Sequence, residues 1–400
     1  MRQAIRMGLA RGGRIATIDG LRGIAILLVV WFHYWQISWQ AVEFPSIGLT
    51  FQPLAETGFL GVALFFFISG FVIALPFVEA HATGAPRPSW RHFYTRRFLK
   101  IVPSYVLCIA VLIAVGFQTY PSFFAAARDV VFHLLFVHVW FPATYGTIDG
   151  VMWSLGTEVQ FYAIFPLLCW AFVRWPRVTT LAMFAIANGY RLWCFHSDHY
   201  YIEQRLAQLP AYLDFFAAGM FCAWAYVAIE HRPPLANRRW LFSGLMLVGA
   251  IGYVAIANDC YQHRFVTEWP QQWVVQWRSV LAIACFVTAL GALFAYRTLQ
   301  RLLANPPLLF LAAISYNLYL WHVPIARELE QWHVPPYTGD PHLNPTWVWL
   351  FPLVAIPIAL AISSAVTYGF ERPILRWRPR RRRIPATEGP ENRTPITVGS

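Results

Sequence analysis

Ten long apolar stretches constrain this chain more than any other feature of its sequence. A helix needs about 20 mostly apolar residues to cross the hydrocarbon core of a bilayer. Because lipid offers no partners for backbone N–H and C=O groups, such stretches cross a membrane as helices. They predict an all-α polytopic membrane protein with about ten transmembrane helices. The stretches cover residues 23–40, 58–78, 98–117, 151–173, 177–195, 209–229, 240–257, 279–296, 307–325 and 346–370.

The composition leaves no room for a separate soluble domain. Charged residues make up 12% of the chain, whereas a soluble domain carries about 25%. The sequence therefore predicts one membrane-embedded domain over residues 15–375. A basic segment, residues 1–14, precedes it, and a basic and then disordered tail, residues 376–400, follows it. One further stretch, residues 121–142, is amphipathic and interrupted by charged and histidine side chains, which predicts an interfacial or re-entrant helix.

The arginine distribution predicts the orientation in the membrane. The net charge of +12 would suggest nucleic acid as a partner of a soluble protein, but here the basic residues cluster in alternate loops. If the N-terminus is cytoplasmic, 25 basic residues lie in cytoplasmic segments and five in outer loops. Cytoplasmic loops of membrane proteins are enriched in arginine and lysine. We therefore predict that both termini are cytoplasmic, that the chain spans the bacterial inner membrane, and that it binds no nucleic acid.

Metal chemistry has little support in the sequence. The six cysteines show no metal-ligand or redox spacing, and five of them lie in apolar stretches. Such cysteines are usually small buried hydrophobic residues. The outer segment His196, Asp198 and His199 could surround an ion, but isolated clusters of this kind are usually solvated loops. We predict neither a metal site nor a permanently bound cofactor.

His33 is the most informative polar residue, because it lies inside the first apolar stretch. It follows Arg22 by eleven residues, so the rise of a helix places it roughly 16 Å beyond that arginine. If Arg22 marks the cytoplasmic interface, His33 lies near the middle of the membrane. Ionisable side chains at that depth are costly and usually functional. The alternative is a histidine that only hydrogen-bonds a neighbouring hydroxyl or carbonyl group.

Other polar residues fall at a similar depth by the same arithmetic. They come from the second, fourth and ninth stretches, and together with His33 they would form a polar chamber. Arg191 and Asp214 also match in depth on consecutive antiparallel stretches, and we interpret them as a structural ion pair. The residues of the central layer are Ser69, Glu158, Ser315 and Tyr319, with His322 somewhat further out.

The residues of these stretches resemble the acyltransferase-3 family of membrane O-acyltransferases. The first segment contains an arginine, ten residues and then a histidine, as the opening motif of that family does, and further segments follow in the family's order. One position departs, because the basic motif usually has two arginines three residues apart and here Arg97 is followed by Lys100. The matching segments are IDGLRGIAILLVVWFH (18–33), GVALFFFISGFVI (61–73), FYTRRFLKIVPSY (93–105), WSLGTEVQFYAIFPLL (153–168), ISYNLYLWHVPI (314–325) and ERP (371–373).

The resemblance implies an enzyme that moves an acyl group, usually acetyl, from cytoplasmic acyl-CoA to a hydroxyl of a glycan, a lipid-linked sugar or a similar acceptor. His33 would act as general base or, as an alternative, as transient acyl carrier. Glu158 would orient the imidazole or contact the acceptor. The phosphates of CoA would meet a basic cluster, although each of its residues could serve only to set the orientation. That cluster is Arg22, Arg96, Arg97 and Lys100, and the substrate-binding set is Ser69, Ser315, Tyr316, Tyr319 and His322.

A second class of protein fits the same physical pattern. A proton-coupled transporter or lipid flippase would also have about ten spans and would use His33 and Glu158 as a proton relay. Such transporters are often built from inverted repeats with paired broken helices. The sequence shows no repeat of this kind. The ordered set of motifs therefore favours the acyltransferase.

Overall fold

Each of the ten apolar stretches forms a long helix in the computed structural model, which describes residues 10–11, 14–44, 49–197, 201–265 and 269–376. This confirms the predicted all-α class. The helices are α1 (Ala16–Ser38), α2 (Leu60–Thr83), α3 (Trp90–Ala114), α4 (Trp153–Arg174), α5 (Pro176–Phe195), α6 (Leu213–Glu230), α7 (Arg239–Gln262), α8 (Trp269–Phe294), α9 (Pro306–Gln331) and α10 (Pro345–Ala365).

Nine of these helices, within the described residues, are both long enough and apolar enough to cross a membrane. The exception is α5, which has 20 residues but carries Arg177, Asn188 and Arg191. The chain is thus an integral membrane protein. The orientation, with both termini cytoplasmic, stays a prediction. The predicted basic segment and the tail lie almost entirely outside the described residues, as do Asp198 and His199.

The connections contain short elements. Two antiparallel pairs of two-residue strands join β1 (Ala10–Arg11) to β2 (Arg14–Ile15) and β3 (Glu43–Phe44) to β4 (Leu49–Thr50). A π-helical segment, Val366–Glu371, follows α10. The short helices are Gln52–Glu56, Phe123–Leu134, Ile202–Leu206, Pro233–Ala236, Arg297–Leu303 and Arg372–Arg376, with single 3-10 turns at His138–Trp140, Gly150–Met152, Leu209–Tyr212 and Pro341–Leu343.

The predicted amphipathic segment forms the helix Phe123–Leu134. Ser122 caps its start by accepting a hydrogen bond from the Ala125 N–H, and Phe123 is 80% exposed. On the opposite face Asp129 is buried and accepts hydrogen bonds from side chains around it. A solvent-facing apolar side and a buried polar side suit a helix that lies along a lipid interface.

Helix α1 packs between α2 and α9, and α2 packs along α6. Glycines allow the closest approaches. A Cβ atom at Gly219 of α6 would overlap the carbonyl oxygen of Phe67 in α2, and one at Gly70 of α2 would overlap that of Phe216 in α6. The two helices therefore touch backbone to backbone, as small residues permit in membrane proteins. This packing fixes the position of α2 beside α1, and with it the position of the polar side chains that α2 carries.

The predicted ion pair between α5 and α6 is confirmed. The Arg191 guanidinium donates to the Asp214 carboxylate over 2.6 Å, and both side chains are fully buried. Ser279 of α8 bridges them, since it donates to Asp214 over 2.7 Å and accepts from Arg191 over 2.7 Å. An ion pair of this kind fixes helix register, because either charge alone would be costly in the interior.

Helix α3 compensates for two proline interruptions in its neighbours. Proline has no N–H, so Pro166 leaves the Tyr162 carbonyl of α4 without its helical partner, and Pro324 does the same to the Leu320 carbonyl of α9. The Tyr94 hydroxyl of α3 donates to the Tyr162 carbonyl over 3.2 Å. The Cys108 thiol of α3 donates to the Leu320 carbonyl over 3.6 Å. Both freed acceptors are therefore satisfied from one helix.

Candidate active site

The structure brings together two histidines from helices that are distant in sequence. His33 of α1 and His322 of α9 lie with the Nδ1 of His33 3.1 Å from the Nε2 of His322. Their ring centroids are 4.9 Å apart, in an edge-to-face arrangement. Depth arithmetic placed both residues near one level, and the packing of α1 against α9 places them in contact.

Each imidazole is also held by its own helix. The His33 Nδ1 lies 2.9 Å from the carbonyl oxygen of Val29, and the His322 Nδ1 lies 2.9 Å from that of Leu318. His322 is fully buried, whereas His33 is partly exposed. Of the two rings, His33 is therefore the one that a second molecule can reach.

Glu158 belongs to a different part of the site. Its carboxylate accepts a hydrogen bond from the Ser69 hydroxyl over 2.5 Å and another from Tyr162. Arg22 interacts with it electrostatically, and Tyr162 lies within the electrostatic reach of both Arg22 and Arg97. The predicted orientation of His33 by Glu158 is therefore not what the geometry shows, because the partner of His33 is His322. A proton relay that runs directly from His33 to Glu158 also lacks support.

The four predicted CoA-binding cations occupy different environments. Arg22 lies near both the Glu158 carboxylate and Arg97, while Arg96 is exposed. Arg97 lies 5.7 Å from the ring centroid of Tyr162. Two guanidinium groups beside one carboxylate retain positive charge, which suits an anionic ligand.

Lys100 is already paired, because its ammonium donates to the Glu371 carboxylate. Asn317 donates to the other Glu371 oxygen over 2.9 Å and to Thr367 over 2.9 Å. This network closes the π-helical segment onto α3 and α9. The sequence-based prediction did not single out Glu371 or Asn317, although an acidic residue directly after an apolar stretch was a usable signal. Lys100 therefore has a structural role that competes with the one predicted for it.

The hydroxyl groups of the predicted substrate-binding set already have protein acceptors. Ser315 donates to the Ala312 carbonyl over 3.0 Å, and Tyr316 donates to the Ile101 carbonyl over 2.7 Å. Tyr319 lies 3.0 Å from the Val151 carbonyl and 2.6 Å from the Ser154 hydroxyl. Only Tyr319 touches the histidine pair, with its ring centroid 5.9 Å from that of His322. The Tyr316 and Tyr319 hydroxyls join helices, whereas the Ser315 hydroxyl bonds its own helix, so the predicted substrate-binding role of all three competes with these contacts.

Asp149 is a second polar group that sequence reasoning missed. It precedes α4 and is 2% exposed. One carboxylate oxygen accepts the Val151 N–H over 3.4 Å, and no described residue hydrogen-bonds the other. The preceding residue, Ile148, has φ of 57°, a conformation that is strained for a β-branched side chain. Burial raises the pKa of Asp149 to about 7, against smaller lowerings by the hydrogen bond from the Val151 N–H and by the charge of Arg327.

Groups of three or more potential metal ligands are absent from the part of the chain that the structure describes. Two groups of predicted site residues are brought together: the histidine pair, and Arg22 with Arg97 and Glu158. Together they offer an imidazole nitrogen and a pair of guanidinium groups. These groups suit the transfer of a group from an anionic carrier to a hydroxyl.

Comparison with known proteins agrees with this chemistry. A model of the acyltransferase domain family matches residues 15–366. The chain is 24% identical to the peptidoglycan O-acetyltransferase OatA of Listeria monocytogenes over 328 residues, which are 78% of this chain and 49% of the relative. It is 25% identical to a putative O-acetyltransferase of Staphylococcus aureus strain COL, over 91% of this chain and 59% of the relative.

A third relative, the O-acetyltransferase OatA of Staphylococcus aureus strain NCTC 8325, is 23% identical over 89% of this chain and 56% of its own length. The chain therefore spans about half the length of the curated relatives it matches. No solved structure shows significant similarity to this one.

Proposed function

Since the chain belongs to the acyltransferase-3 family, we propose that it is a membrane O-acetyltransferase that uses acetyl-CoA as donor and a cell-surface glycan as acceptor. One observation carries the proposal. A partly exposed histidine, His33, lies on the same helix as Arg22 and eleven residues from it, which is roughly 16 Å along the axis. This separation is suited to a carrier that is anionic at one end and reactive at the other.

The donor would bind with its phosphates at the cationic end. Arg22, Arg96 and Arg97 are the groups available there, and guanidinium groups bind phosphate oxygens through paired hydrogen bonds. Lys100 would contribute only if it exchanged Glu371 for the ligand, so its part in binding is secondary. The pantetheine arm would then extend along α1 and present the thioester at His33.

The reaction would be a direct transfer. His33 removes the proton from the acceptor hydroxyl, and the oxygen attacks the thioester carbonyl carbon. The C–O bond forms, the C–S bond breaks, and the CoA thiolate leaves. The imidazolium then returns its proton to the thiolate sulfur, so the products are an acetyl ester and free CoA, and the histidine is regenerated.

The acceptor class follows from the relatives. One of them is named as a peptidoglycan O-acetyltransferase, and a glycan of the cell surface offers hydroxyls on the side opposite the donor. The predicted cytoplasmic position of the arginines would put donor and acceptor on opposite faces. Transfer would then occur within the membrane, where the histidine pair is.

Replacement of His33 tests this proposal. We expect His33→Ala to lower the rate of acetyl release from radiolabelled acetyl-CoA by roughly 100- to 10,000-fold, the usual contribution of a general base. The assay uses purified protein in lipid nanodiscs. His196→Ala is the matched control, because His196 is exposed and contacts the carbonyl four residues back over 2.8 Å, as His33 does. Equal turnover by wild type and His33→Ala would refute the assignment.

A further inference from the structure

We infer that His322 is a positioning residue that fixes the protonation site of His33, so that the Nε2 of His33 is the basic nitrogen. The catalytic consequence rests on the proposed function, but the protonation pattern does not. A neutral imidazole carries its hydrogen on one nitrogen and a lone pair on the other. Which nitrogen is the base therefore depends on the hydrogen bonds that the ring makes.

Backbone carbonyl groups influence which nitrogen of each imidazole ring carries the hydrogen. The Nδ1 atoms of His33 and His322 each lie 2.9 Å from a carbonyl oxygen. A carbonyl oxygen can only accept a hydrogen bond, so each of these contacts favours hydrogen on Nδ1, and the contact with His322 adds to that preference in His33. The opposite arrangement would set a nitrogen lone pair against an oxygen lone pair at both positions.

The contact between the two rings determines which group of His322 accepts the hydrogen of the His33 Nδ1. With hydrogen on its Nδ1, neutral His322 has a lone pair on Nε2. That lone pair lies 3.1 Å from the His33 Nδ1 and accepts its hydrogen. The Nδ1–H of His33 is thus shared between the Val29 carbonyl and His322. One pattern satisfies all three contacts, and it leaves the lone pair of His33 on Nε2.

This pattern matches the needs of the reaction. The free Nε2 is on the partly exposed ring, where the acceptor hydroxyl would approach. When His33 takes a proton, its Nδ1–H becomes a stronger donor, and the buried His322 is in place to accept from it. His322 itself does not need to touch either substrate. The role first predicted for it, substrate binding, is replaced by the orientation of His33.

Substitutions of His322 test the role. In His322→Gln the side-chain oxygen can accept from the His33 Nδ1–H in place of the Nε2, whereas His322→Leu offers no acceptor. We expect His322→Leu to lower kcat by roughly 100-fold or more, within the range of a misoriented base, with the KM for acetyl-CoA unchanged. His322→Gln should recover most of that loss. A glutamine variant no more active than the leucine variant would overturn the inference, provided that both elute as folded protein.

A second measurement is independent of activity. Nitrogen-15 NMR of histidine-labelled protein distinguishes protonated from bare ring nitrogens, and the His33 signals are assigned by their absence in His33→Ala. We expect wild-type His33 to carry its proton on Nδ1, and His322→Leu to show a mixture of both forms. A proton on Nε2 in the wild type would overturn the inference even if acetyl transfer is observed. The expected pattern without acetyl-CoA turnover would instead count against the proposed function alone.

Discussion

At the scale of the residue, Asp149 shows how burial and pairing set the properties of an acid. One of its oxygens caps a turn and the other has no partner among the described residues. A buried carboxylate with so few donors holds its proton more tightly, because the charged form has lost its water. Its pKa is accordingly raised to about 7. At a pH between the ordinary pKa of 3.8 and this value, Asp149 is therefore mostly protonated and uncharged, whereas an exposed aspartate is ionised.

This pKa leads to a prediction about stability. The folded protein binds a proton at Asp149 that the unfolded chain releases at its ordinary pKa of 3.8. Stability contributed by this group should therefore fall as the pH rises from about 4 to about 7, by at most about 1.4 kcal/mol per pH unit. Asp149→Asn removes the titration. We expect the melting temperature of the wild type to fall more between pH 5 and pH 8 than that of Asp149→Asn.

Thermal unfolding in detergent at a series of pH values measures this difference. The comparison between the two proteins removes the contribution of other titrating groups. Identical pH profiles for wild type and Asp149→Asn would show that Asp149 titrates normally.

The position of a residue along the chain predicts its depth in the membrane but not which residues it contacts. Depth follows from residue number because the rise of a helix is constant, so His33, Glu158 and Ser69 could be placed in one layer and His322 somewhat further out. Contact also depends on which way each helix is rotated and on which helices are neighbours. One sequence contains neither quantity, and the pairing of His33 with His322 rather than with Glu158 emerged only from the packed structure.

At the scale of the element, the contact of α2 with α6 depends on the absence of side chains. Gly219 packs against the backbone of α2 at Phe67 and Phe71. Backbone atoms cannot rotate away as a side chain can, so even one methyl group must push the helices apart. The cost of such overpacking is typically 1–3 kcal/mol. This contact supports the position of Ser69, which lies between Phe67 and Phe71 in the sequence.

A matched pair of glycine substitutions tests this contact. We expect Gly219→Ala to lower the free energy of unfolding by about 1–3 kcal/mol or more. Gly189→Ala of α5 should be neutral or slightly stabilising, because an exposed helical glycine gains from alanine and no atom lies within 4 Å of the new methyl group. Unfolding in denaturant, followed by tryptophan fluorescence, measures both. Similar effects of the two substitutions would contradict the close packing.

Elements were the most predictable level of this structure. All ten apolar stretches are helices, because a run of apolar residues in lipid has few alternatives. The short elements of the connections, apart from the helix Phe123–Leu134, were not predicted. The π-helical segment Val366–Glu371 depends on the network of Lys100, Glu371 and Asn317, and the two-residue strand pairs have no distinct pattern in the sequence.

At the scale of the whole molecule, the candidate site residues lie on α1, α2, α4 and α9. In the most apolar 18-residue stretch of α2, 78% is buried inside the protein, whereas the corresponding share for α7 is 28%. Helix α7 therefore lies at the periphery and exposes an apolar surface. A membrane protein with lipid as its outer solvent can bury its polar groups at its centre. In this arrangement His322 is fully buried, and His33 and Glu158 are partly buried.

The orientation of the whole chain can be measured directly. The arginine distribution predicts that the connection between α2 and α3 is cytoplasmic and that the connection between α3 and α4 is outside. We expect alkaline phosphatase fused after residue 145 to be active, since it folds only outside the cytoplasm, and the same enzyme fused after residue 86 to be inactive. A fluorescent protein that folds only in the cytoplasm should give the reverse pattern. Phosphatase activity at residue 86 would invert the topology and the proposed side of the donor.

The hydrogen bonds that α3 gives to its neighbours restrict the order in which the sequence can change. The Tyr162 carbonyl needs the Tyr94 hydroxyl only while residue 166 is proline, because any other residue supplies an N–H of its own. A lineage that loses Pro166 first can then lose the Tyr94 hydroxyl at little cost. A lineage that loses the hydroxyl first leaves a bare carbonyl at the edge of the membrane core. Loss of Pro166 before loss of the Tyr94 hydroxyl is therefore the less costly order, although 71 residues separate the two positions.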